Sequence, residues 1–296
     1  MSRVLFVLTP QVHLLDLAGP AQVFSTAPGY ELLYYAEASP VPTWQGVPLV
    51  AAVAWPDLDP GDLVLVPGWR TGYGYFTPAT LDRLAAHHAA GGTVASVCAG
   101  ADALGRAGLL DGRRCTTHHG LQDRLARSHP AATVVRDVLY VSDDRVVTSA
   151  GIASGIDLAL HLVAQRHGPA AAARVAREMV VYARRNGDDQ QHSAMLRHRA
   201  HLNDVVHRVQ DRIDAAFTTP LPLPGLAAAA GVSERTLTRL FTVATGRTPL
   251  RYQQLLRLER AEHLISHGAT TESAARAVGF TDARMLRRLR SRTPTV

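Results

Sequence analysis

Apolar residues in the first part of the chain fall in short runs, and stretches with helical periodicity separate these runs. Four runs predict β-strands, at Val4–Leu8, Leu32–Ala36, Leu63–Val66 and Thr93–Val97. Helical periodicity predicts helices at Asp16–Thr26, Pro78–Ala90 and Gly100–Leu110. Strands that are apolar along their whole length and alternate with helices indicate a parallel sheet covered on both faces. The pattern therefore predicts a doubly wound, mostly parallel α/β domain.

A hairpin and two helices are predicted to complete this domain. The hairpin has two strands and a turn, at Val138–Val141, Arg145–Thr148 and Ser142–Asp144. The helices are predicted at Gly155–Gln165 and Pro169–Val181, where Pro169 suits a first helical turn. Residues 184–200 are polar and lack apolar periodicity, which is typical of a linker. We therefore predict an α/β domain over residues 1–183, a linker over 184–200 and a second domain over 201–296.

The periodicity beyond the linker is helical throughout. Six apolar residues share one face of a predicted helix, namely Leu202, Val205, Val206, Val209, Ile213 and Phe217. A long helix is predicted over Pro249–His267, where leucines recur at helical spacing. The second domain is therefore predicted to be all-α.

One pattern occurs twice in this helical domain, as LAAAAGVSERTLTRLF at 226–241 and AARAVGFTDARMLRRL at 274–289. Gly231 and Gly279 are 48 positions apart (279 − 231). At that offset four further pairs align, Ser233 with Thr281, Glu234 with Asp282, Leu237 with Met285 and Arg239 with Arg287. Each copy has an Ala-rich helix, a glycine suited to positive φ, and a Ser or Thr that can cap the next helix. These are the parts of a helix-turn-helix, and the long helix between the copies would fix their separation.

Polar side chains on the second helix of each copy are the candidate DNA contacts. They are Ser233, Arg235, Thr236, Thr238, Arg239, Thr281, Arg284, Arg287 and Arg288. Leu237, Leu240 and Phe241 can anchor the helix of the first copy to a core. We expect the first copy to supply most of the sequence specificity, and the arginines of the second to bind phosphates without reading bases.

The net positive charge of the chain arises in its last third, and arginine supplies all of the basic charge because the sequence has no lysine. Residues 1–185 hold 15 Arg and 15 Asp or Glu, whereas residues 186–296 hold 16 Arg and 10 acidic residues, a net charge of +6. This asymmetry is typical of a phosphate-binding module attached to a neutral domain. A solvated basic face without a partner would give the same count. The repeated helix-turn-helix pattern favours double-stranded DNA as the partner.

Three stretches of the helical domain carry a family resemblance, LAAAAGVSERTLTRLF, TGRTPLRYQQLLRLERAEHLI and ESAARAVGFTD. Over residues 203–292 the chain resembles the AraC/XylS family of transcriptional regulators. The family pattern has an aromatic residue near Leu286 and another near Arg290, then a further helix. This chain has MLRRLRSRTPTV there instead. We therefore expect the second recognition helix, Thr281–Arg292, to be loosely held.

Cys98 follows a predicted strand and is followed by Ala99, Gly100 and a predicted helix. A sharp strand-to-helix turn needs such small neighbours and directs the cysteine side chain into a crevice. The helix N-terminus would lower the pKa of the thiol and offer N–H groups to an anion. We therefore expect Cys98 to be the reactive cysteine and Cys115 to be inert. The alternative is a buried structural cysteine. With only two cysteines, a disulfide scaffold is excluded.

Four further stretches extend the comparison, LLDLAGPAQVF at 14–24, PGW at 67–69, CTTHHG at 115–120 and GIASGIDLALHL at 151–162. Residues 3–182 resemble the ThiJ/PfpI superfamily, which has a class I glutamine amidotransferase-like, flavodoxin-like fold. The resemblance implies that Cys98 is a nucleophile-elbow residue, with Asp16 and His118 nearby. The closest patterns are isocyanide hydratases and the GlxA-type regulators, in which such a domain precedes an AraC-type one. This chain has His119 where a Trp is usual, and Ala99 where hydratases carry Thr.

Two functions follow from this domain. In the first, the chain is a transcriptional regulator whose α/β domain binds an unknown small-molecule effector and forms a homodimer. The expected effector contacts are Asp16, Gly19, Gly68, Cys98, Ala99, His118 and His119. In the second, it is an active cysteine-dependent hydratase or amidase with an appended DNA-binding domain. A purely structural dimerisation domain is a third interpretation.

The sequence predicts neither a metal or cofactor site nor a membrane span or signal peptide. His87-His88 and His118-His119 are adjacent pairs that chelate poorly, so we predict no metal and no cofactor. His87 and His88 are expected on a solvated helix face. No apolar run is long enough for a membrane span, and the N-terminal run is expected to be a buried strand instead of a signal peptide. We therefore expect a cytoplasmic protein.

Overall fold

The computed structural model describes residues 1–70, 76–181, 185–188, 191, 198–199, 201–266 and 268–291. It divides the chain into two compact units, Met1–Gln191 and His192–Val296. This boundary lies inside the range 184–200 that the sequence predicts as a linker. Parts of that range, together with His267 and Arg292, lie outside the described residues.

Six strands form the central sheet of the N-terminal unit. They are β1 (Ser2–Leu8), β2 (Tyr30–Ala36), β5 (Leu63–Val66), β6 (Thr93–Val97), β9 (Tyr140–Asp143) and β10 (Val146–Ser149). The order across the sheet is β2-β1-β5-β6-β10-β9, and all neighbours are parallel except β9 and β10. Counted within the sheet, the first four strands lie in the order 2-1-3-4 of flavodoxin-like folds. The predicted mostly parallel α/β fold is confirmed.

Two short strand pairs lie outside this sheet. They are β3 (Val41–Pro42) with β4 (Pro48–Leu49), and β7 (Arg114–Cys115) with β8 (Thr133–Val134). The first pair is antiparallel and the second is parallel.

Helices flank the sheet in two packed groups. They are α1 (Leu14–Thr26), α2 (Pro78–Ala89), α3 (Gly100–Arg106), α4 (Gln122–Ser128), α5 (Ser154–His167) and α6 (Pro169–Glu178). Helices α1, α5 and α6 contact one another, and α2 contacts α3. All four residues of β5 are buried, as expected for a strand covered on both faces. The helices that begin at Gly100 and Pro169 end earlier than predicted.

The hairpin turn lies two residues later than its sequence suggested. Ser142 and Asp143 pair with Val147 and Val146, so the turn predicted at Ser142–Asp144 is wrong. The two turn residues are Asp144 and Arg145, with φ of 41° and 59°. Two positive φ values are the signature of a type I′ turn, whose twist matches that of the strands. An Asp-Arg turn lacks the usual glycine, which explains why the sequence did not reveal it.

His87 and His88 are buried, so their expected place on a solvated helix face is wrong. The ring of His87 hydrogen-bonds the Asp62 carbonyl at 3.1 Å, and that of His88 the Asp144 carbonyl at 2.9 Å. Both therefore secure the end of α2 to neighbouring loops. Within the described residues, no three His, Cys, Asp or Glu side chains are grouped to hold a metal ion. In the same part of the chain, no helix combines the length and apolarity needed to cross a bilayer.

The C-terminal unit is helical, as predicted. Its helices are α7 (Asp204–Ala216), α8 (Leu223–Ala230), α9 (Glu234–Thr245), α10 (Pro249–Ser266), α11 (Thr271–Ala277) and α12 (Ala283–Arg290). Helix α7 buries Val206, Val209 and Ile213, as its periodicity predicts. Leu202 is 100% exposed because it precedes the helix cap Asn203, so its predicted place on the buried face is wrong.

The two helix-turn-helix units differ by one residue in the turn. In the first, Gly231 has φ of 70° and Ser233 caps α9 by accepting from the N–H of Thr236. In the second, Gly279 has φ of 84°, and Asp282 caps α12. Thr281 is therefore not the cap, contrary to the sequence alignment. The extra residue shifts the alignment of the two recognition helices, α9 and α12, from 48 to 49 positions (282 − 233).

The shift changes which residues correspond in α9 and α12. Leu237 is fully buried and so is Leu286, whereas Met285, the residue first aligned with Leu237, is 40% exposed. Arg239 therefore corresponds to Arg288 instead of Arg287. Ala283, Leu286 and Leu289 are all buried in one core cluster with α10 and α11. Over Ala283–Arg290 the expected loose attachment is wrong, because aliphatic side chains anchor the helix in place of aromatic ones.

Candidate functional site

Four of the six sheet strands end close together in the N-terminal unit, at the Cys98 crevice that the sequence predicts. Asp16 follows β1, Gly68 follows β5, Cys98 follows β6 and Gly151 follows β10. The carboxyl edge of a parallel sheet, where the strand order reverses, is where such folds bind ligands. Contacts among these four residues, described below, show that the structure brings them together.

Cys98 occupies a strained turn between β6 and α3. Its φ is 56°, a left-handed conformation that non-glycine residues adopt rarely, and its N–H donates to the Ser149 carbonyl at 3.0 Å. Gly100, two residues later, lies against strand β5, and a Cβ there would overlap the carbonyl oxygen of Val66. The small residues after Cys98 are therefore required by backbone contact, as the sequence predicted for a nucleophile elbow.

The space around the Cys98 side chain is made by two glycines. A Cβ on Gly68 would overlap Asp16 Oδ2 and lie 2.7 Å from Cys98 Cβ. A Cβ on Gly151 would lie 2.9 Å from Cys98 Cα and overlap Cys98 Cβ. Sequence reasoning selected Gly68 but missed Gly151, although it stands at the start of the GIASG segment. Any larger residue at either position would displace the thiol.

Asp16 is fully buried beside the thiol. Its Oδ1 accepts a 2.6 Å hydrogen bond from the N–H of Ile152. Ile152 has a φ of 52°, and this left-handed backbone conformation directs its N–H toward the carboxyl. Its Oδ2 has no hydrogen-bond partner of normal geometry among the described residues. Burial raises the pKa of Asp16 to about 6, although nearby N–H and S–H groups oppose the increase. The carboxyl therefore lies between the N–H of Ile152 and the thiol of Cys98.

The environment of the Cys98 thiol opposes its ionisation. Burial raises its pKa well above the ordinary value, and the charge of Asp16 raises it further. The N–H of Ala99 lowers the pKa, but by less than these two causes raise it. The start of the helix therefore lowers the pKa of the thiol, as predicted, but the net pKa is raised because burial and Asp16 outweigh this contribution. Burial also raises the pKa of Cys115, to about 11.

His118 and His119 belong to a loop tied to the backbone of Cys98. The hydroxyl of Thr117 donates to the Cys98 carbonyl at 2.7 Å. His118 begins a 3₁₀ turn, and its Nδ1 accepts from the N–H of Gly120 at 3.2 Å. The rings of the two histidines lie 4.1 Å apart, with His118 half-buried and His119 exposed. The loop is therefore joined to the elbow through Thr117, the residue that precedes the two histidines.

The recognition helices present unpaired positive charge. Arg235, Arg239, Arg284 and Arg288 are exposed, and among the described residues none of them forms an ion pair. Arg287 lies 3.6 Å from Glu272. An open groove runs along α9, and its lining residues are Leu223, Glu234, Arg235, Thr238, Arg239, Thr242 and Val243. Three of the predicted DNA contacts therefore share one accessible surface, as base reading requires.

Protein-family models match parts of both the N-terminal and the C-terminal unit. Residues 2–165 match the model of the DJ-1/PfpI family, and residues 226–293 match that of a helix-turn-helix domain. The chain belongs to the DJ-1/PfpI family. Its predicted architecture, a DJ-1/PfpI domain followed by an AraC-type helix-turn-helix domain, is confirmed.

Two curated relatives are similar to this chain, and one is named as a transcriptional regulator whereas the other is named as an enzyme. The HTH-type transcriptional regulator CdhR of Pseudomonas aeruginosa is 32% identical over 230 residues, covering 78% of this chain and 68% of CdhR. The isonitrile hydratase of Pseudomonas putida is 37% identical over 166 residues, covering 55% of this chain and 71% of the hydratase.

A solved structure shares the fold of this DJ-1/PfpI family member. It is a ThiJ/PfpI family protein from Pseudomonas syringae, with a TM-score of 0.55 and 23% sequence identity. The match covers 78% of this chain and 90% of the other.

Two residues of the N-terminal unit have contacts that the sequence did not suggest. Gly19 packs against α5, where its Cβ would lie 3.1 Å from Ile156, so helix packing accounts for this glycine. Gln191 donates through Nε2 to the carbonyls of Thr117 and Val138, both at 3.0 Å, and its Oε1 accepts from the N–H of His119 at 2.8 Å. A glutamine in a polar stretch gives no sequence signal of such contacts. The last residue of the N-terminal unit is thus bonded to the loop beside Cys98.

Proposed function

We propose that the chain is a sequence-specific, DNA-binding transcriptional regulator whose α/β unit binds a small-molecule effector beside Cys98. The observation that carries DNA binding is the pair of helix-turn-helix units with exposed arginines that form no ion pair among the described residues. CdhR, which aligns over both units, has the name of a transcriptional regulator. The predicted DNA contacts remain Ser233, Arg235, Thr236, Thr238, Arg239, Thr281, Arg284, Arg287 and Arg288.

The effector is a small polar molecule with a hydrogen-bond donor. The buried Asp16 carboxyl, which lies beside the Cys98 thiol, supplies a hydrogen-bond acceptor. Cys98, Ala99 and Gly68 lie beside it, and Thr117 joins the His118–His119 loop to the Cys98 carbonyl. Because burial and the charge of Asp16 raise the pKa of the Cys98 thiol, we assign it the role of a weak donor that shapes this site instead of a nucleophile.

The organisation of the protein follows from this function. Residues 1–183 are the sensor, 184–200 connect the units, and 201–296 bind DNA in the cytoplasm. Gln191 gives ligand binding a route to the connection, because it contacts the loop beside Cys98. Two chains form a homodimer, since paired DNA half-sites match a two-fold symmetric protein.

Genome-wide mapping of DNA bound by the full chain tests the proposal. We expect a discrete set of sites that share one motif, and the genes beside them indicate the effector class. The Arg235→Ala, Arg239→Ala double variant is the matched control and should lose the motif. Recovery of unrelated DNA without a shared motif would contradict sequence-specific regulation.

A cysteine-dependent hydratase is the second candidate function. The pairing of Cys98 with Asp16 and the likeness to isonitrile hydratase favour it. The raised pKa of the thiol opposes it, because the thiolate is the nucleophile. Incubation with a simple alkyl isonitrile decides the matter. We expect no hydration above the Cys98→Ala control, and turnover that depends on Cys98 would establish the enzyme.

A further inference from the structure

Arg257, on the long helix α10, makes contacts that join the two helix-turn-helix units. Its Nε donates to the carbonyl of Phe217 at 2.6 Å, and one terminal nitrogen donates to the carbonyl of Thr219 at 2.8 Å. The other terminal nitrogen donates to the carbonyl of Gly279 at 2.9 Å. Phe217 packs with the core of the first helix-turn-helix, whereas Gly279 is the turn of the second. The Arg257 guanidinium therefore hydrogen-bonds residues of both helix-turn-helix units.

The turn of the second helix-turn-helix lies directly on the segment after α7. A Cβ on Gly279 would overlap the carbonyl oxygen of Thr218, so this glycine is required by contact as well as by its φ of 84°. The two units therefore touch at a backbone-to-backbone contact, and Arg257 hydrogen-bonds the residues on both sides of it.

Two neighbouring side chains support the same junction. Gln253, one turn before Arg257 on α10, donates to the carbonyls of Phe217 and Thr219 at 2.9 and 2.7 Å. The Arg257 guanidinium also lies 5.6 Å from the centre of the Phe280 ring, within reach of a cation–π interaction. Carbonyls at a helix C-terminus favour a cation, so the arginine is well placed beside the end of α7.

We propose that Arg257 is the positioning residue that sets the spacing and angle of the two recognition helices, and thereby the spacing of the DNA segments they recognise. The part concerning DNA rests on the proposed function. Helix α10 contributes Tyr252 and Leu256 to the core of the first helix-turn-helix and Leu258 and Ala261 to that of the second. Arg257 lies between these two pairs in the chain, at the point where the two cores meet the same helix. The planar guanidinium has donors in a fixed fork and can serve three carbonyls at once, whereas a lysine ammonium is a single point.

Distances between spin labels test the junction without DNA. Labels are placed at Thr242→Cys on α9 and Ser291→Cys after α12, in a chain where Cys98 and Cys115 are replaced by Ala. We expect a narrow distance distribution that broadens in Arg257→Ala. Arg257→Lys keeps the charge and guards against loss of folding, and it should broaden the distribution less. Arg260→Ala is the control, because Arg260 makes no side-chain hydrogen bond or ion pair among the described residues. Unchanged distributions in both Arg257 variants, with helical content intact, would overturn the proposal.

The spacing of the DNA site tests the consequence. A duplex selected by the full chain from a random library is compared with versions that have one base pair inserted or deleted between the two contacted segments. In the wild type and in Arg260→Ala, each change should lower affinity about tenfold or more. In Arg257→Ala the penalty should shrink to about threefold, since a loose pair of units adapts. An equal penalty in all three would overturn the role in spacing. If the wild type selects no sequence at all, the proposed function fails, while the label distances still judge the junction.

Discussion

The crevice at Cys98 obtains its space from glycines, whereas the recognition helices obtain their chemistry from arginines that project into solvent. Around Cys98, single atoms decide the shape, because a Cβ on Gly68, Gly100 or Gly151 would overlap a neighbour. On α9 and α12, Arg235, Arg239, Arg284 and Arg288 are exposed and form no ion pair among the described residues. The crevice should therefore respond to steric changes and pH, and the helices to salt and base sequence.

The largest effect is expected from a methyl group at the elbow. Gly100→Ala should destabilise the N-terminal unit by about 3 kcal/mol or more, because the overlap is with the backbone carbonyl of Val66, which cannot move alone. Calorimetric unfolding of the full chain measures the loss. Gly61→Ala is the matched control, since its nearest atom would be 3.9 Å away. Equal stability of the two variants would mean that the elbow is not tightly packed.

The next effect is the pH dependence contributed by Asp16. Folding raises the pKa of this carboxyl from 3.8 to about 6, so the folded chain binds its proton more tightly than the unfolded chain. Asp16 therefore costs stability as pH rises from about 4 through 6, by about 3 kcal/mol in total. The stability of Asp16→Asn relative to the wild type should grow over this range. Subtracting the two curves removes the contributions of other acids, and a constant difference would contradict the raised pKa.

A smaller effect is expected from the different roles of the two recognition helices in DNA binding. Arg239→Ala should cost about 1–3 kcal/mol on the selected duplex and relax preference at one base pair. Arg288→Ala, at the corresponding position of α12, should weaken binding to selected and scrambled duplexes alike and reduce the salt dependence. Titration of labelled duplexes measures both. The opposite assignment would make the second helix-turn-helix the reader of sequence.

The smallest effect distinguishes the two turns. Ser233→Ala and Asp282→Ala should each cost about 1 kcal/mol of stability in the C-terminal unit, because each removes a helix cap. Thr281→Ala should cost close to nothing, since Thr281 caps no helix. A cost at Thr281 equal to that at Asp282 would restore the alignment by 48 positions.

The elements and the position of the crevice could be predicted, because they depend on patterns that the chain displays directly. Wholly apolar runs such as Leu63–Val66 located strands, and the small residues after Cys98 located the elbow. The AraC-type repeat was visible because both copies keep the Ala-rich helix and the glycine. These signals are local, so no knowledge of the tertiary structure was needed.

The errors concern properties that depend on tertiary contacts. The pKa of Cys98 depends on burial and on Asp16, which is 82 positions away in the chain (98 − 16). His87 and His88 are buried because Asp62 and Asp144 supply carbonyls to them. One added residue in a turn moved the helix cap from Thr281 to Asp282. An ungapped alignment of the repeat could not show that shift.

Affinity for a selected duplex and for its scrambled counterpart, measured at about 50 and 200 mM salt, tests the central claim most directly. We expect the wild type to bind the selected duplex about 1,000-fold more tightly than the scrambled one. Both affinities should fall with salt while most of their ratio persists, because the arginines contact phosphates and bases together. Equal affinity for the two duplexes at both salt concentrations would show that the protein is a non-specific polyanion binder and would contradict its proposed role as a regulator.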